Sequence, residues 1–323
     1  MQKELLLGNE AIALGARDAG CRVAVAYPGT PSTEITETIA RFPGVDSAWA
    51  PNEKVALEVA AGASVGGARA LCCMKHVGLN VAADPLFTSA YTGVNGGLVV
   101  VVADDPGMHS SQNEQDSRYY ALAAHVPMLE PSDSQEAYDF VAEAFALSEE
   151  FDTPVLLRTT TRISHGRGQV VPRVPVEAPA REYARDMSKY VMVPQHARER
   201  NRLALRRLGL LRTRADESPL NVLEAGSADF GIVASGVAYQ VAREAFPKAW
   251  FLKLGMSWPL PVEKIARLYR SVSWVAVVEE LDPFLEEQIR ALGLPVVGKI
   301  ALQTFPASPA SMQSCREAQL SSA

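Results

Sequence analysis

Several stretches of this sequence place polar side chains where chemistry is possible. Tyr27-Pro28-Gly29-Thr30-Pro31-Ser32-Thr33 follows an apolar strand pattern and precedes a helical one. Open α/β sheets bind ligands at the carboxyl ends of their strands. There the hydroxyls of Thr30 and Ser32, with the free N–H groups of the next helix, can hold an anionic oxygen. The same residues suit a rigid turn with Ser32 or Thr33 as N-cap. Glu53 opens the following helix, where the helix dipole favours a carboxylate. Taken alone it is a helix-start residue, and Glu58 is a residue of the helix face. His76 suits either a site or a hydrogen bond to the adjoining turn. His109 to Arg118 is a dense polar stretch beside an apolar strand, which suits a site-forming loop as well as a polar surface loop. Asp104-Asp105 alone is weak evidence for a metal, and no metal ligands are assigned. Glu279-Glu280 reads as a strand-end structural or interface feature rather than an acid–base pair.

The elements that position these residues belong to a chain of 323 residues, enough for two domains at roughly 150 residues each. Lys+Arg total 31 against 37 Asp+Glu, a net charge of -6, which argues against a polyanion-binding surface and a nucleic-acid partner. A 48% hydrophobic and 21% charged composition belongs to a packed protein and excludes disorder as the overall state. No apolar run reaches the ~18 residues of a membrane span, and the first residues carry no secretory signal pattern. Cys21, Cys72, Cys73 and Cys315 form no C-x-x-C pair, so no zinc ribbon or cysteine-ligated cluster is encoded locally. Reduced thiols and a cytoplasmic location are the expectation.

Helical and strand patterns alternate through the first half. Glu10–Ala19 is helical and ends at Gly20, Arg22–Tyr27 is a buried strand, and Thr33–Arg41 and Glu53–Gly67 are helical. Leu71–Met74 is a short strand, followed by a turn at Gly78 and a helix running to Thr92. Leu98–Ala103 and Val155–Arg158 are apolar strands of the kind buried on both faces of a parallel sheet. This alternation predicts a doubly wound α/β domain over 1–175. Residues 176–228 read as a basic linker with a solvated connecting helix. Strands at 231–236, 249–254 and 274–278, alternating with helices, predict a second, smaller α/β domain over 229–302. Residues 303–323 lack periodicity and are expected to be disordered.

Glu53, the glycine-bearing helix after it, the strand and the glycine at 78 resemble the pyrimidine-binding domain of thiamine-diphosphate enzymes. Longer motifs narrow the match. Leu7 to Ala13, Tyr27 to Ile35, Asn52-Glu53-Lys54-Val55-Ala56, Met74 to Pro85 and Asp104 to Arg118 resemble the large (alpha) subunits of indolepyruvate ferredoxin oxidoreductases. Leu252-Lys253-Leu254-Gly255-Met256 and Val278 to Phe284 continue the resemblance, which runs in order from Leu5 to about Lys299.

The resemblance implies a thiamine-diphosphate pyrimidine-binding fold followed by a transketolase C-terminal-like domain. It also implies conversion of arylpyruvates, coenzyme A and oxidised ferredoxin to aryl-acetyl-CoA, carbon dioxide and reduced ferredoxin. By the same resemblance Glu53 is the catalytic residue, bound to N1′ of the aminopyrimidine. Pro28, Gly29, His76, Gly78 and Asn80 line the cofactor, and Thr30 touches the substrate's carboxylate or keto oxygen. His109, Ser110, Gln112 and Asn113 belong to a loop, reaching to Asp116, that closes over the substrate.

Family chains continue into a diphosphate-gripping domain with Mg²⁺ and a segment with iron–sulfur clusters, and neither pattern occurs in these residues. The expectation is therefore half a cofactor site, completed by the carboxyl-terminal part of the large subunit and a small (beta) subunit, with ferredoxin served by the complex. An obligate homo- or hetero-oligomer follows, with the isolated chain inactive. The competing expectation is a non-catalytic remnant acting as a binding protein. A simple anion- or nucleotide-binding protein is a third, without a G-x-G-x-x-G or P-loop motif to support it.

Overall fold

A computed structural model describes residues 3–300. The segment expected to be a disordered tail, 303–323, lies outside the described residues, as does Cys315. In chain order the first elements are β1 (Glu4–Leu7), α1 (Gly8–Asp18), β2 (Val23–Ala26), α2 (Thr33–Ile39), β3 (Asp46–Trp49), α3 (Glu53–Val65), β4 (Ala70–Lys75), α4 (His76–Val81), α5 (Ala83–Thr92) and β5 (Leu98–Asp104). Then come α6 (Arg118–Ala124), β6 (Met128–Leu129), α7 (Ser134–Phe151), β7 (Val155–Thr160), α8 (Thr161–His165), β8 (Arg167–Val170), α9 (Met187–Tyr190) and α10 (Pro194–Glu217). The last are β9 (Asn221–Glu224), β10 (Phe230–Ser235), α11 (Gly236–Ala245), β11 (Trp250–Leu254), β12 (Met256–Trp258), α12 (Val262–Ser271), β13 (Trp274–Val278) and α13 (Phe284–Ala291).

The main sheet has seven strands in the order β12-β6-β7-β5-β4-β2-β3, parallel except for β12. Its centre explains the uninterrupted apolar run at Leu98–Ala103. Side chains alternate across a strand, so Val99 and Val101 pack with Ile12 and Phe145, while Val100 and Val102 pack with Leu57 and Leu86 on the other face. Neither face meets water. Gly15 of α1 lets this layer close, because a Cβ there would lie 2.4 Å from the Tyr138 carbonyl oxygen of α7.

A second sheet of order β13-β10-β11-β9 is parallel except for β9. Strand β9 falls inside the stretch read from the sequence as linker. Strand β12 follows β11 directly yet pairs antiparallel with β6, so the second unit supplies an edge strand to the first unit's sheet. Chain pairing, not only side-chain contact, joins the two units.

The basic stretch is not merely a solvated helix. Ala204, Arg207, Leu208, Leu211 and Ala215 of α10 are buried, and its arginines serve helix ends. Arg200 donates to the carbonyl oxygens of Tyr91 (2.6 Å) and Thr92 (3.0 Å). Arg207 donates to those of Ala90 (2.5 Å) and Asp152 (2.6 Å). The last carbonyls of α5 and the C-cap of α7 have no intrahelical partner and carry partial negative charge, so guanidinium groups are the fitting complement.

Candidate active site

Strands β2, β4 and β5 are neighbours in one parallel ladder, and their carboxyl ends carry the Thr30 turn, Lys75-His76 and Asp104-Asp105. The turn is held from within. Gly29 N–H donates to the Thr33 hydroxyl (2.9 Å), and the Ser32 hydroxyl donates to the Gly29 carbonyl (2.8 Å). Neither hydroxyl caps α2. The Thr30–Pro31 peptide is cis, and the buried Asn9 amide donates to the Pro31 carbonyl and the Glu34 carboxylate, each at 2.8 Å. Pro28 and Thr30 face solvent on this turn.

Glu53 is the first residue of α3, and the Asn52 side chain caps that helix by accepting from Val55 N–H at 2.9 Å. Glu53 is 9% exposed; its carboxylate oxygens are not fully enclosed, and among the described residues they make no hydrogen bond. It packs against Gly78. A Cβ at that glycine would lie 2.6 Å from Glu53 Cγ and 2.7 Å from Oε1. Gly78 therefore does not form the turn expected from the sequence. It sits inside α4, and the side chain it lacks leaves room for the Glu53 carboxyl group. Gly78→Ala is expected to displace that carboxyl and to cost about 1–3 kcal/mol of stability by overpacking, read in urea unfolding. Unchanged stability would show that the carboxyl group is not confined there.

His76 opens α4 and is buried, with neither ring nitrogen hydrogen-bonded. Burial lowers its pKa, the Lys75 charge lowers it further, and Asp105 and Glu114 offset this only in part. The imidazole is neutral and keeps one donor and one acceptor unused. Asn80 lies on the same helix, but its amide donates to the Tyr120 hydroxyl (3.0 Å).

The loop after β5 is knotted around Asp105. Its carboxylate accepts from Ser110 N–H (2.8 Å), His109 N–H (3.2 Å), the Ser111 hydroxyl (2.7 Å) and the Thr161 hydroxyl (2.8 Å). Burial pushes this carboxyl up, but the four donors outweigh it and hold its pKa well below the usual range. A depressed carboxyl stabilises the fold above its unfolded pKa, about 3.9, and that contribution is lost as pH falls from there toward the folded value. Asp105→Asn is accordingly expected to speed amide exchange across 106–116 at neutral pH and to mimic acid loosening of the loop. Equal exchange in the two proteins would contradict the knot. Two contacts tie the loop to the Thr30 turn: the Ser110 hydroxyl donates to the Thr30 carbonyl (3.2 Å) and Lys75 Nζ donates to the Ser110 carbonyl (3.2 Å). His109, Gln112 and Asn113 are exposed on the loop's outer part, and Asn113 accepts from the Gln115 amide (3.1 Å).

The other acids have structural partners. Arg158 donates to Asp104 and Glu130, each at 2.6 Å. Arg118, fully buried, binds Asp116, Glu279 (2.6 Å) and the carbonyls of Glu280 (2.9 Å) and Asp282 (3.0 Å). Glu279 also accepts from the first N–H groups of α13. Burial raises the Asp104 pKa to about 6 against the pull of Arg158. Among the described residues no three His, Cys, Asp or Glu side chains are grouped for a metal ion, and no helix is long and apolar enough to cross a membrane. Sequence reasoning missed Lys75, the cation where turn and loop meet, and its adjacency to His76 was the only signal.

The family model described as pyruvate flavodoxin/ferredoxin oxidoreductase, thiamine-diphosphate-binding, matches residues 14–210. The chain is 45% identical over 313 residues to the indolepyruvate oxidoreductase subunit IorA of Archaeoglobus fulgidus, covering 93% of this chain and 50% of that protein. It is 32% identical over 180 residues to the 2-oxoglutarate synthase subunit KorA of Methanocaldococcus jannaschii, covering 53% and 49%. In fold it is similar to the 2-oxoglutarate:ferredoxin oxidoreductase of Magnetococcus marinus, with a TM-score of 0.79 at 19% identity over 92% of this chain and 62% of that one. A split-gene transketolase matches at a TM-score of 0.58 and 16% identity, covering 97% of both chains. The chain spans about half the length of the IorA relatives it matches. With the matched region covering most of the chain, including Thr30, Glu53, His76 and Gly78, this protein belongs to the pyruvate flavodoxin/ferredoxin oxidoreductase family, of which it carries the thiamine-diphosphate-binding region.

Proposed function

We propose that this chain supplies the pyrimidine-binding half of the thiamine-diphosphate site in an arylpyruvate ferredoxin oxidoreductase, with indolepyruvate as the representative substrate. The observation that carries the reading is the Glu53 carboxyl group, packed against Gly78 and, among the described residues, without a hydrogen-bond partner. A carboxyl group held by packing and left without a protein partner keeps its hydrogen-bonding capacity for a ligand. An aminopyrimidine ring nitrogen is such a ligand, and the unpartnered His76 imidazole, two residues before Gly78, is a second free polar group. The residues thus fit the cofactor.

When bound, thiamine diphosphate supplies the electron sink for loss of carbon dioxide from a 2-oxoacid. The chain's own residues do the rest of what is proposed here. Glu53 holds a proton at the pyrimidine N1′. Gly78 leaves the space that carboxyl occupies, and Pro28 and Gly29 line the cofactor. His76, neutral, offers one hydrogen bond to the bound group, and Asn80 stands at the rim. The Thr30 hydroxyl faces the substrate. His109, Ser110, Gln112 and Asn113 exclude water as their loop closes over the substrate. Mg²⁺, the diphosphate grip and the iron–sulfur clusters are assigned to the rest of the large subunit or a partner chain, with the small subunit, ferredoxin and coenzyme A completing the reaction.

The test is reconstitution of the chain with the polypeptides supplying those parts, thiamine diphosphate, Mg²⁺ and coenzyme A, followed as indolepyruvate-dependent viologen reduction. Turnover that requires this chain is expected. Its absence with every part folded and present would overturn the assignment.

A further inference from the structure

We infer that Lys75 forms the carboxylate subsite of this site, pairing with the 1-carboxylate of an aryl 2-oxoacid; this rests on the reading above. A 2-oxoacid enters as an anion, and taking its carboxylate out of water demands a cation. The cations on the elements that build the site are mostly spent. Arg118 and Arg158 are buried and bound to Asp116, Glu279, Asp104 and Glu130. Lys54, on the first turn of α3, pairs with Asp84 at 3.0 Å. Lys75 remains. It ends β4 next to His76, it is half-buried, and its only hydrogen-bond partner among the described residues is a neutral one, the Ser110 carbonyl.

Its stem is also held in place. Lys75 Cδ and Cγ lie 3.1 and 3.2 Å from the position a Cβ would take on Gly29, so the absence of a side chain there lets the lysine lie along the turn. Ser110, whose carbonyl Lys75 binds, donates its hydroxyl to the Thr30 carbonyl. The ammonium group thus stands between the Thr30 turn and the Asp105 loop, one residue from the unpartnered imidazole. An ammonium with three donors and one neutral acceptor can take a carboxylate without breaking an ion pair.

Lys75→Gln keeps a donor for the Ser110 carbonyl and removes the charge. In the reconstituted complex, with phenylpyruvate as the probe, the KM is expected to rise roughly ten- to a hundredfold, the usual worth of a hydrogen bond to a charged group. The KM for thiamine diphosphate is expected to stay put and kcat to change less than the phenylpyruvate KM. Competition by phenylpyruvate against its methyl ester reads the charge itself: the wild type favours the acid, Lys75→Gln loses that preference, and Lys75→Arg restores part of it. A bracing role for Lys75 would not move the acid-to-ester ratio. An unchanged ratio in Lys75→Gln overturns the subsite and leaves the oxidoreductase reading standing, whereas a wild-type complex that turns over neither phenylpyruvate nor indolepyruvate overturns both.

Discussion

Glu53→Gln is expected to lower turnover of the reconstituted enzyme by about two to four orders of magnitude, the usual worth of a positioned proton-transfer group. The amide matches the carboxyl in size and fits the space left by Gly78, and Asn52 still caps α3. Folding is therefore expected to be unaffected, which separates the loss from a packing defect. What the amide lacks is a proton that can be passed to and from a ring nitrogen. Steady-state viologen reduction measures the loss, and a melting curve of the same sample checks the fold. Turnover within about threefold of wild type would remove Glu53 from the chemistry.

The largest effect on stability is expected from Arg118→Met. Methionine fills much of the volume but leaves two buried carboxylates, Asp116 and Glu279, and the carbonyls of Glu280 and Asp282 without their donor. Removing one partner of a buried ion pair costs about 3–5 kcal/mol, and urea unfolding reads it. The pH dependence follows from sign. Burial already raises the Glu279 pKa, against the pull of Arg118. Without the arginine it rises further, and a raised carboxyl contributes stability that is full below its unfolded pKa and lost as pH rises through the folded value. The variant's deficit is thus larger at pH 8 than at pH 5. Because Glu279 lies after β13 and Arg118 opens α6 in the first unit, the change also weakens the junction between units. A deficit below about 1 kcal/mol would show that the pair is dispensable.

How much of this was legible in the sequence depended on how local each cause is. Leu98–Ala103 was readable because a strand covered on both faces needs no polar alternation. Helix α7 carried its own signal. Asp133 caps it by accepting from Glu136 N–H, and Ala137, Tyr138, Val141, Ala144 and Phe145 follow at helical spacing. Strand β12 had no such signal, since three residues become a strand only by meeting β6 from far along the chain. The arginines of α10 looked like a solvated face because the helix ends they complete, Ala90 to Thr92 and Asp152, lie elsewhere in sequence. In the site, Glu53 and Gly78 were found by family resemblance, which could not give the reason for the glycine. That reason is the space taken by the glutamate's carboxyl group. Lys75 was overlooked because its value lies in what it does not pair with.

The claim at the centre of this account is that thiamine diphosphate binds against Glu53, His76 and Gly78. Hydrogen–deuterium exchange of this chain within the reconstituted complex, with and without the cofactor, tests it most directly. Cofactor-dependent protection is expected at 27–33, 52–56 and 75–82, with the four-stranded sheet of β9, β10, β11 and β13 unaffected. Cofactor binding that leaves those three segments unchanged, or protects only segments remote from them, would contradict it.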